Sequence, residues 1–234
     1  MIFNELDWVQ PDSVEPDRFI CGIFQTLFHP AASKINSCMN PTGNIIRNLD
    51  GEQNEERKSC NFVKNGKVYI LGDFDDSISR YVIPDLADMI AEGAGQKETV
   101  IPIYVNSWGG EADKLESILS LLSIANRNGI KIVTYNIGVA YSCGSILAAA
   151  GDYRFMSKSA RNMMHLGEIG SLSRTYEQLK RNSRDVKDFF DETVRFYRDH
   201  SKMTEKKIRE ILNDDMYWMG AKECLRLGLC DEII

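Results

Sequence analysis

The stretch that decides the fold runs KIVTYNIGVAYSCGSILAAAGDYRFMSKSARNMMH, from Lys131 to His165. The β-branched run from Lys131 to Ile137 predicts a strand. Through Gly138 it reaches Ala140-Tyr141-Ser142-Cys143-Gly144, and the apolar residues from Ile146 to Ala150, stopped by Gly151, predict a short helix. Strand, sharp turn and helix stand the Ser142 hydroxyl proud of the sheet, with the first helical N–H groups facing whatever it attacks. The turn approximates the G-x-S-x-G nucleophile elbow, with Ala140 in place of the first glycine. A serine at a helix start also has a simpler reading, as an N-cap. These residues alone leave both readings open.

Working outward, the segments before this stretch repeat its logic. Val68 to Leu71 is a short apolar strand ended by Gly72-Asp73, and Tyr81 to Glu92 has helical spacing, with Pro84 near the helix start. Val100 to Val105 predicts a second strand, followed by the turn Asn106-Ser107-Trp108-Gly109-Gly110. Glu111 to Asn128 is an amphipathic helix with Leu115, Ile118, Leu119, Leu122 and Ala125 on one stripe. Strand, helix, strand, helix, strand at this spacing predicts right-handed crossovers and a mainly parallel sheet. Beyond Ser142 come two short strands, Tyr153 to Met156 and Asn162 to His165. Helices follow over Ser173 to about His200, Thr204 to Leu212 and Ala221 to Leu227, then a strand-like close from Leu229 to Ile234.

Residues 1–65 read differently from 66–234. Four of the six prolines (11, 16, 30 and 41) lie there, and polar clusters such as NPTGN break every apolar run. This predicts an N-terminal arm or appendage with little core of its own, or a flexible leader, ahead of one domain.

Composition narrows the function classes. A chain of 234 residues can bury a sizeable core, and 43% hydrophobic with 26% charged residues is ordinary globular usage. The net charge of −6, with no Lys/Arg block, shows no nucleic-acid footprint. No apolar run approaches a membrane span, and the early acids of MIFNELDWVQPD do not read as a secretory signal. The six cysteines (21, 38, 60, 143, 224 and 230) have no CxxC or metal-ligand spacing. They read as reduced thiols of a cytoplasmic protein needing no metal or cofactor. Only three histidines, His29, His165 and His200, are available as a general base.

In parallel α/β sheets, sites form at the carboxyl ends of strands. Three such ends carry site-like residues here: Ser142, Gly109-Gly110 and His165. Taken singly, Gly-Gly is a tight turn and a histidine a satisfied core residue. Together they call for another explanation.

The segment from about Val68 to Ile234 resembles the proteolytic subunit of the Clp protease, ClpP, a serine peptidase with a crotonase-like fold. Asn106-Ser107-Trp108-Gly109-Gly110 is similar to that family's N-S-P-G-G turn, and Gly138 to Gly144 to its G-x-A-A-S-M-G nucleophile turn. Met163-Met164-His165 is similar to its M-I-H, and Asp215 to Glu223 to its D-x-[FY]-x-[ST]-A-x-E-A. The close Leu227 to Ile233 resembles Y-G-L-[IV]-D-x-[IV]. The resemblance implies an α/β fold of the ClpP/crotonase type: a mainly parallel sheet with spiral β-α-β turns and a protruding strand-helix handle.

Carried over residue by residue, the resemblance makes Ser142 the nucleophile, His165 the general base and Asp215 the orienting carboxylate. The backbone N–H groups of Gly110 and Cys143 become the oxyanion hole. Asp214 is the rival of Asp215, which fits the family by its distance to the Tyr-Trp-Met-Gly-Ala run. An imidazole activates a serine hydroxyl near neutral pH, and a carboxylate holds its tautomer. Two departures stand out. Trp108 replaces the proline before Gly-Gly, and Leu166-Gly167 replaces the usual Gln-Pro after the histidine.

The activity implied is endopeptidase cleavage of unfolded or extended polypeptides inside a homo-oligomeric chamber, in the family two stacked heptameric rings, with an AAA+ unfoldase as a possible partner. Competing readings are a dedicated processing protease of phage or viral assembly, a non-catalytic ring subunit, and an acyl-CoA enzyme of the crotonase type. A further expectation concerns the long helix: Phe189, Phe190, Phe196 and Tyr197 would leave an exposed apolar patch on a monomer, and such a patch marks an interface.

Overall fold

The computed structural model of the chain describes residues 60–96, 98–166, 176–214 and 216–234; of 176–182 it describes the backbone alone. The arm expected over residues 1–65 lies outside these up to residue 59. The described chain opens on a hairpin. β1 (Asn61–Lys64) pairs antiparallel with β2 (Lys67–Ile70) across Asn65-Gly66. Both turn residues have positive φ, 52° and 70°, the two-residue geometry that asparagine-glycine favours because its twist matches the strands. The sheet thus includes four residues that composition had grouped with the arm.

A π-helical turn (Ile78–Val82) leads into α1 (Ile83–Gly93), with Pro84 in the first turn, where its missing N–H costs nothing. Then come β3 (Val100–Ser107), α2 (Ala112–Arg127) and β4 (Lys131–Tyr141). A seven-residue helix, α3 (Cys143–Ala149), follows, then β5 (Tyr153–Met156) and β6 (Arg161–Met164). The remainder is α4 (Tyr176–Asp199), α5 (Glu205–Leu212), β7 (Tyr217–Gly220), α6 (Ala221–Leu227) and β8 (Glu232–Ile233). This is an α/β fold with a mainly parallel sheet. Strand order is β1-β2-β3-β4-β5-β8, with β6 paired to β4 and to β7. Among the described residues only the β1–β2 and β6–β7 pairs are antiparallel.

One strand organises the site. β4 pairs β5 with its first half (Val133 to Asn136) and β6 with its last three residues (Val139 to Tyr141). Its other edge follows β3 until the register shifts between Val105 and Ser107. At that shift Asn106 Oδ1 accepts the Val139 N–H at 3.0 Å. A Cβ on Gly138 would lie 2.4 Å from that oxygen, so glycine is required there. The strand therefore runs four residues beyond the Ile137 expected from β-branching and delivers Ser142 directly at its end.

The sheet's two faces differ. One carries Val68, Ile70, Ile101, Ile103, Val105 and Ile132, all buried, against Leu86, Leu115, Ile118 and Leu122 of α1 and α2. The stripe read from the sequence of α2 is thus its core face. The other face carries a ladder of stacked rings, Phe62, Tyr69, Tyr104, Tyr135 and Phe155, one from each of β1 to β5. Neighbouring centroids lie 4.8–5.1 Å apart, and cross-strand aromatic pairs of this kind pin register.

A second core gathers Met156, Met164, Val194, Tyr197, Ile208, Leu212, Met219, Cys224 and Leu227 from β5 to β7 and α4 to α6. It corrects one expectation. Tyr197 is buried here, while Phe190 and Phe196 pack against this core half-buried. Phe196 stacks on His200, and the Arg209 guanidinium covers Phe190. Phe189 is also half-buried, so the four aromatics form no exposed patch: α5 and α6 cover the side of α4 that its sequence left open. The strand expected before this helix falls outside the described residues.

Cys143, Cys224 and Cys230 are free and buried. No helix among the described residues is long and apolar enough to cross a membrane.

Candidate active site

Ser142 sits at the junction of β4 and α3 with φ 52° and ψ −119°. Besides Asn65 and Glu98 it is the one non-glycine with positive φ among the described residues. Such backbone is costly for an L residue and persists where its surroundings hold it. Here they do. The Ser142 N–H donates to Met163 O of β6 at 3.1 Å, and its carbonyl accepts the N–H of Ser145 (2.9 Å) and of Ile146 (3.2 Å), which starts α3. No side-chain bond caps the helix. The N-cap alternative therefore fails in its usual form.

Gly109-Gly110 lies against this turn. A Cβ on Gly109 would come 2.7 Å from Ser142 Cβ and 3.3 Å from Ser142 Oγ, so only glycine admits the serine. Gly110, at φ 139°, is pinned to Phe74: a Cβ there would lie 2.5 Å from Phe74 O. The Phe74 N–H donates to Gly109 O (2.7 Å) and Glu111 N–H donates to Phe74 O (2.8 Å). In this parallel bridge the Gly110 peptide edge points away from Phe74. It points toward the serine turn, because the Cys143 thiol donates to Gly110 O at 3.3 Å. The Gly109 N–H is engaged by Ser107 Oγ at 3.1 Å. Phe74 had no legible role in the sequence: its contact with Gly110 spans a whole crossover, from the end of β2 to the end of β3, and no local pattern announces it.

Burial pushes the Cys143 thiol up, opposed by hydrogen bonding from the Ser142 side chain and from the Gly110 backbone. A thiol raised in this way is a poorer nucleophile than an ordinary one.

His165 follows directly on β6 and is half-buried. Met163, two residues before it, pairs with Tyr141 and accepts the Ser142 N–H. The histidine and the serine therefore leave neighbouring parallel strands at the same end of the sheet. β7, a strand absent from the sequence expectation, runs antiparallel to β6 with Tyr217 opposite Met164, so the chain enters β7 at the histidine's end. Asp215, the expected third member, lies outside the described residues. Asp214 is exposed, with its N–H on Ile211 O at 3.1 Å.

Two aromatic neighbours were not assigned a site from the sequence as a group. Trp108 and Trp218 each meet the ring of Tyr141 edge to face, with centroids 4.4 Å apart.

The sheet thus carries a serine of positive φ at a strand–helix turn with a glycine loop packed on it. The model of the Clp protease family matches residues 51–234, and the chain belongs to that family, a family of peptidases. Among curated relatives, the ATP-dependent Clp protease proteolytic subunit of Deinococcus radiodurans is 28% identical over 151 residues, 64% of this chain and 72% of the relative. That of Streptococcus mutans is 26% identical over 182 residues, 74% and 86% of the two chains. Subunit 2 of Cutibacterium acnes is 29% identical over 149 residues, 63% and 68%.

Proposed function

We propose that this chain is a serine endopeptidase that hydrolyses unfolded or extended polypeptides. Ser142 is its nucleophile, His165 its general base, Asp215 the carboxylate that orients the imidazole, and the N–H groups of Gly110 and Cys143 its oxyanion hole. The observation that carries the reading is the left-handed Ser142 at the end of β4, with a glycine pressed on its side chain. Strain of that kind is kept where it serves a site.

In the reaction, Ser142 Oγ bonds to the scissile carbonyl carbon as His165 takes its proton. The carbonyl oxygen becomes an oxyanion held by the two main-chain donors. The intermediate collapses by expelling the amine, which receives the proton from His165. Water, deprotonated by the same imidazole, then releases the acyl group and restores the serine. Fixed donors cost nothing to reorganise as charge develops, which makes them the largest single contribution in such sites.

A second level of the proposal is what the family resemblance implies: ring assembly of identical chains, two stacked heptamers enclosing a chamber, with an AAA+ ATPase feeding it; the relatives' names, ATP-dependent and subunit, support assembly with an ATPase. Burial of the aromatic side of α4 within the chain means that this assembly rests on the family and not on an exposed helix face.

Fluorophosphonate labelling of the full chain, with the modified residue identified by mass spectrometry, tests the chemistry. The expected adduct is on Ser142. An adduct on Cys143, or none under conditions that label a control serine peptidase, overturns it.

A further inference from the structure

Among the described residues six large apolar side chains are exposed, and three of them, Trp108 (61%), Met216 (57%) and Trp218 (44%), lie on segments that meet at the candidate site. Trp108 directly precedes the Gly109-Gly110 loop. Trp218 belongs to β7, where it pairs with Met163, the residue that holds the Ser142 N–H. Both indoles stand edge-on to one ring, that of Tyr141, at interplanar angles of 79° and 82°. Tyr141 is itself buried, with 4% exposure, and it immediately precedes Ser142. The cluster is therefore a fixed tyrosine floor carrying two solvent-facing indoles.

Two neighbouring tryptophans left in water are unfavourable unless something covers them, and clustered exposed rings mark binding sites. Aromatic rings also bind with specific geometry at little cost in conformational entropy. A molecule that approaches Ser142 meets these rings, since the loop bearing Trp108 is the same loop whose Gly110 faces the serine turn.

Resting on the serine peptidase reading above, we propose that Trp108 and Trp218, seated on Tyr141, bind a large apolar side chain, aromatic by preference, of the polypeptide close to the bond cut at Ser142. They thereby set which peptides are cleaved. Successive residues of an extended peptide advance by about 3.3 Å, so the residue bound is within one or two of the scissile bond.

The test uses the full chain and fluorogenic peptides identical except for phenylalanine or alanine at one position flanking the cut. Wild type is expected to prefer phenylalanine by about tenfold or more in kcat/KM at that position. Trp108→Ala and Trp218→Ala should each erode the preference, chiefly through KM, while Trp108→Phe keeps most of it. A preference equal to wild type in both alanine variants overturns the proposal.

Because an alanine variant could misfold, a second measurement stands apart from turnover. In Ser142→Ala, the phenylalanine peptide should quench tryptophan fluorescence at concentrations where the alanine peptide does not. Equal quenching by both peptides, or by neither, overturns the platform. Failure of fluorophosphonate to label Ser142 with selective quenching intact would remove the serine chemistry and leave the platform supported.

Discussion

The two strand ends that meet at the candidate site rest on different cores. The serine turn belongs to the first: Ala140, Cys143 and Leu147 pack with the isoleucines and valines of the parallel sheet and with α1 and α2. The histidine strand belongs to the second, where Met164 packs among Met219 of β7 and residues of α4 to α6. Their support also differs in kind. Main-chain bonds and glycines hold the serine side, with the Phe74–Gly110 bridge and the Ser142–Met163 bond carrying the geometry. On the histidine side, packed side chains do most of the work, with a polar stitch to the first core. Tyr197 OH donates to Ser145 Oγ, which donates to Asn162 Oδ1, both at 2.9 Å.

The largest expected effect strikes both halves at once. Ser142→Ala or His165→Ala should each remove nearly all peptide hydrolysis, on the order of a millionfold if the residues act as a unit. Asp215→Asn should cost less, though still several decades by turnover assay. If Asp214→Asn is the damaging change and Asp215→Asn is silent, the third member has been assigned to the wrong neighbour.

Next comes a change that should break the main-chain half alone. Gly110→Ala puts a Cβ 2.5 Å from Phe74 O at φ 139°, which forces the loop to move. Misplacing one oxyanion donor costs roughly a hundredfold or more in kcat. A Gly110→Ala enzyme with near-normal kcat would show that this loop supplies no donor.

Alkaline pH should sharpen the contrast between the cores. In the second, burial pushes Cys224 up to about 12 and Cys230 up to about 11, from an ordinary value of 9.0, and it raises Tyr197 as well. Above pH 9 the unfolded chain releases these thiol protons while the folded chain keeps them. The stability they support is therefore whole below that pH and falls toward pH 11–12. Urea midpoints should drop over this range, and Cys224→Ala should flatten the drop. A midpoint independent of pH up to 10.5 would count against thiol burial as the cause.

A smaller effect is expected at Cys143. Its side chain is buried at 6% exposure, so Cys143→Met overpacks the first core by about 1–3 kcal/mol, read as a lower Tm. Turnover should stay within about tenfold because the donor is its backbone N–H. Complete loss of turnover in a folded Cys143→Met would point to the thiol. The smallest change is Tyr197→Phe, which removes one link of the polar stitch at about 1 kcal/mol. Chemical denaturation measures it; an effect above 3 kcal/mol would mean that the stitch, rather than packing, holds the halves together.

Sequence by itself determined the alternation that makes a parallel sheet, the stripe of α2, and the serine and glycines at strand ends, because each is written in residues close together along the chain. It also contained signals that went unread. Asn65-Gly66 between Phe62-Val63 and Val68-Tyr69 announces the first hairpin, which composition had hidden within a polar region. Tertiary structure decided the rest. Whether α4 shows an apolar patch depends on α5 and α6 folding over it, and whether Gly110 faces the serine turn depends on Phe74. That Trp108 and Trp218 share one tyrosine depends on β7 pairing with β6. Those contacts join segments up to a hundred residues apart, and only packing, with its demand that each buried edge and ring find a partner, selects among the ways such segments could meet.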